Sequence, residues 1–217
     1  SSHGVPVLLA NARMSEKSPL GYRRWTGLVR PAIDTLAAVS AQSDEDAERL
    51  RALGARRVEV AGNLKFDSAP DEGKRAEGAA WRARLARPVL LLASTREGEE
   101  KMLLEALPAW DGKLLVLVVP RHPRRFDEVS FLSQSRRSRE PTPAAQDRVH
   151  LGDTMGEMDF YYAAADVAVI GGSFAPRGGQ NLIEACAAGA PVVLGPSMFN
   201  FAEATRLALE AGAAVQA

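Results

Sequence analysis

Cysteine is almost missing from this chain of 217 residues. Cys186 stands alone, which excludes an intrachain disulfide and suits a reducing compartment. Net charge is missing as well: 27 Lys and Arg balance 27 Asp and Glu. Nothing in the total favours nucleic acid as a partner. No apolar run approaches the roughly 18–20 residues of a membrane span. No signal peptide is visible in the opening residues. The dinucleotide pattern G-x-G-x-x-G is absent, and no G-K-[ST] follows any glycine loop, so a Walker site is excluded.

What remains is an apolar fraction of 46%, enough for one large or two modest α/β domains. Near-continuous apolar runs, "VPVLLANA" (5–12), "PVLLLAST" (88–95), "KLLVLVVP" (113–120), "DVAVIGG" (166–172) and "PVVLG" (191–195), alternate with helix-like segments. Shorter strands are expected at 37–42, 56–63 and 147–153. Strands without polar alternation predict parallel sheets covered on both faces, hence an α/β fold of doubly wound type. "DSAPDEGKRAEGAA" (67–80) is polar, with proline and glycine and no apolar period. It predicts a linker, giving a first unit at 1–68, a linker at 69–84 and a second unit at 85–217. Residues 134–147 are expected as a loop. The chain enters a strand-like run almost at once and ends on another, "EAGAAVQA". Those ends predict an internal piece of a longer protein, with the first unit incomplete.

Ligands of open α/β sheets bind beyond the carboxyl ends of the strands. The polar groups there are Asn11 and Arg13, Asn63 and Lys65, Ser94 to Arg96, Pro120 to His122, Asp153 to Glu157, and Gly171 to Glu184. "IGGSFAPRGGQNLIEA" (170–185) is the densest. Its glycines permit tight turning or close ligand approach, and the helix after them offers amides suited to phosphate. Asn181 and Glu184, three apart, share a face, and a carboxylate there suits a ribose diol. The same stretch also fits a plain tight turn. Arg121 suits phosphate or carboxylate, or a surface position beside a capping His122. "GDTMGEM" (152–158) fits either a loop reading a base edge or a capping box from Thr154 to Glu157. Ser94 and Thr95 fit a second anion loop or a helix cap. Lys65 suits a charge developing on a leaving phosphate, or plain exposure. "YRRW" (22–25) reads as a solvated helix face, or one touching acceptor lipid. Cys186 reads as a buried small hydrophobe.

The segments "VPVLLANARMSEKS", "AGNLKFD", "LLASTREGEE", "VVPRHPRRF", "GDTMGEMDFYYAAADVAVIGGSF" and "GGQNLIEA…PVVLGP…NF" stand in the order found in 3-deoxy-D-manno-octulosonic acid (Kdo) transferases. The chain resembles that family over essentially its whole length. The resemblance implies a GT-B fold of two Rossmann-like domains with the active site in their cleft. It implies an inverting, metal- and cofactor-independent transfer of Kdo from CMP-Kdo to lipid IVA, at the cytoplasmic face of the bacterial inner membrane. It implies CMP contacts from Pro120 and Arg121, from Gly156, Glu157 and Met158, and from Asn181, Leu182, Ile183 and Glu184. Lys65 matches the transition-state-stabilising lysine. Gln180 departs from the family's usual histidine. The family's catalytic glutamate and membrane anchor precede the matched region, so these 217 residues are expected to bind CMP weakly without turnover. Two other readings stay open: a GT-B transferase or epimerase for a different nucleotide, and a non-catalytic nucleotide-binding module.

Overall fold

The computed structural model describes residues 4–14, 26–67, 69–107 and 113–217, with the side chains of Thr26, Lys65 and Asp67 excepted. "YRRW" lies outside them. The chain divides into two compact units, Ser1–Ser68 and Ala69–Ala217.

The first unit is a three-stranded parallel sheet in the order β1-β2-β3, from Leu8–Ala12, Ala38–Ala41 and Val58–Val60. Helices α1 (Thr26–Asp34) and α2 (Asp44–Ala52) connect them. Ser43 caps α2, accepting from the Asp46 amide, and three acids occupy the first turn, where the helix dipole favours them. The expectation of a buried first strand fails: Leu8 is 68% exposed. β1 is an edge strand of this sheet, and only its last residue, Ala12, is buried.

The second unit is a seven-stranded, wholly parallel sheet. Its strands are β4 (Val89–Thr95), β5 (Leu115–Pro120), β6 (Ser135–Arg136), β7 (Val149–Leu151), β8 (Val167–Ile170), β9 (Val192–Leu194) and β10 (Ala214–Gln216). Helices α3 (Glu72–Arg84), α4 (Glu99–Ala106), α5 (Arg125–Val129), α6 (Met158–Ala163), α7 (Ile183–Ala187) and α8 (Ala202–Glu210) accompany them. Strand order is β10-β9-β8-β4-β5-β7-β6. From β4 the chain moves outward one way, then returns to lay β8 on β4's other edge. That reversal is the switch point where doubly wound sheets open a ligand crevice.

Two expectations are corrected here. Residues 72–84, read as linker, are a helix of the second unit, started by Asp71 accepting from the Lys74 amide. Its buried stripe is only Gly78 and Trp81, so no broad apolar period announces it. A Cβ at Gly78 would collide with the Phe160 carbonyl of α6, so this glycine lets two helix backbones meet. Trp81 fills the junction, edge-on to Phe160 at 5.7 Å, with its indole N–H donated to the Pro141 carbonyl. The loop expected at 134–147 begins with edge strand β6, where Ser135 and Arg136 pair with His150 and Leu151.

Candidate functional site

At the switch point, the ends of β4 and β8 are drawn together. Ser94 sits at φ 55°, unusual for a residue other than glycine, and the register of β4 shifts there. A Cβ at Gly171 would lie 2.5 Å from the Ser94 oxygen and 2.6 Å from the Thr95 Cα. Backbone therefore stands against backbone, and only glycine fits. The first unit repeats the device: Asn11 is also at φ 55°, with a register shift at the end of β1. "LLANAR" (8–13) and "LLASTR" (91–96) are matching strand ends. The spacing of 83 residues hides this correspondence from a search for short repeats.

The glycine corner is held by a group that sequence reading overlooked. Glu99, 2% exposed, accepts from three backbone amides: Arg96 (2.8 Å), Gly172 (2.6 Å) and Phe174 (3.2 Å). One buried carboxylate thus ties the loop after β4 to the loop after β8. Three further corner amides are engaged. Gly178 donates to Ser197 Oγ, Gly179 to the Gly172 carbonyl and Gln180 to the Gly171 carbonyl. The glycines admit protein rather than ligand: Cβ atoms at Gly178, Gly179 and Gly195 would collide with Asn200, Met198 and the Ser173 carbonyl. The amides of Gly172, Phe174, Gly178, Gly179 and Gln180 therefore form no open nest for phosphate. Thr95 is likewise no anion ligand, since its hydroxyl donates to buried Glu100 at 2.9 Å, and Glu100 also pairs with Arg125 at 2.9 Å. The only signal for these acids was Glu99 three residues after Arg96, a helix-start spacing.

Positive side chains crown this closed corner. Arg121 follows Pro120 at the end of β5, and its Nε donates to Gln180 Oε1 at 3.2 Å. Arg96 Nη1 stands 2.6 Å from His122 Nε2. Partial burial, then the charges of Arg96, Arg121 and Arg124, hold the His122 imidazole below its usual range. It is neutral at physiological pH and accepts at Nε2. Several other arginines of this unit meet carboxylates: Arg82 with Asp166, Arg125 with Glu100, Arg136 with Asp153 and Arg137 with Glu157. Among the described residues Arg96 and Arg121 meet neutral side chains instead.

The other expected site residues divide. Asn181 Nδ2 donates to Glu184 Oε1 at 2.8 Å, and Asn181 Oδ1 accepts from the Ile183 amide. Helix α7 begins only at Ile183, two residues after Asn181. Asn181 therefore acts as a local brace that orients Glu184. Glu184 is half-buried and keeps its second oxygen without a partner among the described residues. Leu182 is fully buried in the core, so a ligand meets its backbone only. In the loop after β7, Gly156 is exposed at φ 71°, and its carbonyl accepts from Lys74 Nζ. The Glu157 side chain is committed elsewhere: Arg137 grips it through two nitrogens and Thr154 donates to it. The Arg137 bonds hold its carboxyl below the usual range against the opposing effect of burial. The capping box is not formed, because Thr154 bonds the Glu157 and Tyr161 side chains rather than a helix amide. Met158 is partly buried against the core. Cys186 is partly buried too, and burial pushes its thiol up. The Lys65 backbone lies in the 3₁₀ turn Leu64–Asp67; its side chain is outside the described residues.

A family profile described as 3-deoxy-D-manno-octulosonic-acid transferase (kdotransferase) matches residues 1–68. The 3-deoxy-D-manno-octulosonic acid transferase of Bordetella pertussis is 49% identical over 100% of this chain and 54% of its own length. That of Haemophilus influenzae is 32% identical over 95% of this chain and 51% of its own. This chain thus spans about half the length of the curated relatives it matches. Among solved structures, the C-terminal CMP-Kdo binding domain of WaaA from Acinetobacter baumannii superposes with TM-score 0.63 and 35% identity, over 68% of this chain and 83% of that one. Anabaena Alr3699/HepE in complex with UDP and glucose aligns with TM-score 0.50 and 18% identity, over 91% of this chain and 54% of that one. That likeness shows the fold alone, the two Rossmann-like parallel-sheet units of GT-B glycosyltransferases. Identity this high to the Acinetobacter domain, covering most of it, means that the chain belongs to the 3-deoxy-D-manno-octulosonic acid transferase family.

Proposed function

We propose that the crevice beyond β4, β5 and β8 binds the CMP moiety of CMP-Kdo, and that the parent protein transfers Kdo to lipid IVA. The observation carrying this is the pair of arginines without carboxylate partners at the sheet's switch point. An anionic sugar nucleotide supplies the missing charge. In this reading Arg121, at the rim after Pro120, takes the phosphate. The partnerless oxygen of Glu184, braced by Asn181, accepts from the ribose diol. The main chain of Gly156, Glu157 and Met158 meets the base. Leu182 and Ile183 contribute backbone, and Leu182 anchors the corner through the core.

The donor chemistry follows from the ligand. An acceptor hydroxyl attacks the anomeric carbon of Kdo while a general base takes its proton, and CMP departs with the bonding electrons. Positive charge at the departing phosphate lowers the barrier, which is the role proposed for Arg121 and Lys65. The acceptor lipid places the parent protein at the cytoplasmic face of the inner membrane. Among the described residues no helix is long and apolar enough to cross a membrane.

Glu184→Ala tests the ribose assignment. It removes an acceptor and leaves the corner's amides paired, so CMP affinity falls about tenfold, the loss of one charged hydrogen bond. Calorimetric titration of CMP reads this directly, and an unchanged dissociation constant removes Glu184 from the site.

A further inference from the structure

We propose that Arg96, tethered by His122, is the subsite for the carboxylate on the donor sugar, beside the phosphate subsite at Arg121. This rests on the CMP-Kdo reading above and adds a residue with a separate task. Arg96 leaves the carboxyl end of β4, the central strand of the switch point, and its side chain is half-buried. Its Cγ lies 3.5 Å from where a Cβ on Gly172 would stand, and Gln180 Nε2 lies 3.0 Å from the same point. Gln180 in turn accepts from Arg121. The Arg96 stem and the Gln180 side chain that accepts from Arg121 therefore both pack over Gly172. A side chain at position 172 would crowd Gln180 and the Arg96 stem, and its φ of 68° excludes one comfortably.

The tethers are both neutral. His122 accepts from Arg96 through Nε2 and so carries its proton on Nδ1. Gln180 accepts through an amide oxygen. Each guanidinium is oriented without being neutralised, and the two follow neighbouring strands β4 and β5, where both charges act on His122. That arrangement is unfavourable alone and favourable for a ligand with two negative groups near one another. A keto-sugar acid joined through its anomeric oxygen to a nucleoside monophosphate is such a ligand. Its carboxylate sits on the carbon that carries the phosphate ester. The planar fork of an arginine suits that carboxylate better than a lysine does.

The test compares CMP with CMP-Kdo on the chain and on Arg96→Gln and Arg96→Lys. The glutamine keeps most of the stem over Gly172, and CMP affinity serves as the check that the crevice is intact. The expected result is a small loss of CMP affinity, about threefold, in Arg96→Gln, from one neighbouring positive charge, and less in Arg96→Lys, which keeps it. CMP-Kdo binding falls about tenfold or more in Arg96→Gln and by less in Arg96→Lys. Equal weakening of both ligands, or no change in either, overturns the proposal. Failure of the underlying reading looks different: the unaltered chain then binds no CMP at all.

Discussion

Glu99→Ala lowers the melting temperature of the second unit by roughly 10 °C and abolishes CMP binding. The carboxylate is buried and accepts from three amides. Its removal strands the Arg96, Gly172 and Phe174 N–H groups where water does not enter freely. A stranded buried donor costs roughly 1–3 kcal/mol, and bonds to a charged acceptor are at the strong end. Allowing for relaxation of the loop, the loss is about 3–5 kcal/mol. For a unit of this size each kcal/mol shifts the melting point by roughly 2–4 °C. Binding disappears as well, because Glu99 sets the Gly172 turn on which Gln180 packs, and Gln180 is the brace of Arg121. Glu99→Gln separates shape from charge: it retains one good acceptor and falls between. Scanning calorimetry with CMP titration checks both. A melting point within 2 °C of wild type in Glu99→Ala contradicts the role given to this carboxylate.

Acidification from pH 7.5 to pH 5 destabilises the second unit by about 2 kcal/mol through one residue, His150. Its ring is fully buried in β7, with Nδ1 2.8 Å from Ser135 Oγ and Nε2 without a hydrogen-bond partner. Burial first, then the Arg137 cation, push the imidazole down to about 4, with Asp147 and Asp153 opposing and Arg87 adding least. An unfolded histidine titrates near 6.5. Between the two values the unfolded chain binds the extra proton, so stability is full above about 6.5 and declines as pH falls toward 4. The whole window is worth about 3 kcal/mol at 1.36 kcal/mol per unit, and about two-thirds of it is spent by pH 5. His122 shifts in the same direction, so the comparison is by difference. Urea unfolding of His150→Gln against wild type at both pH values isolates the buried ring. An equal loss in the two proteins rules His150 out as the cause.

The fold was legible where apolar runs were long. β4, β5 and β8 are nearly continuous Val, Leu and Ile because both sheet faces are covered, and such runs read as strands without ambiguity. Helix α3 was not, because its contact face is a glycine and one tryptophan. Small residues that let backbones meet leave no periodic trace. The glycine corner shows the same limit at the site. Its glycines were visible as turning points, but what they turn against, Ser94, Met198 and Asn200, lies elsewhere in the chain. The corner therefore read as an anion nest, whereas the amides of Gly172, Phe174, Gly178, Gly179 and Gln180 are spent on Glu99, Ser197 and the corner's own carbonyls. Arg121 and Glu184 could be picked out as chemistry at strand ends. The neutral tethers Gln180 and His122 could not, since which polar group faces an arginine is a matter of three-dimensional placement.

The central claim is that the arginines beyond β4 and β5, held by neutral partners rather than carboxylates, mark a cytidine-nucleotide site. Parallel calorimetric titrations of CMP and UDP into the unaltered chain test it most directly. Main-chain reading of the base rejects the wrong pyrimidine by leaving polar groups unpaired. CMP is thus predicted to bind at least about tenfold more tightly, with affinity falling as salt rises. UDP binding equal to or tighter than CMP, or no binding of either nucleotide, contradicts the account.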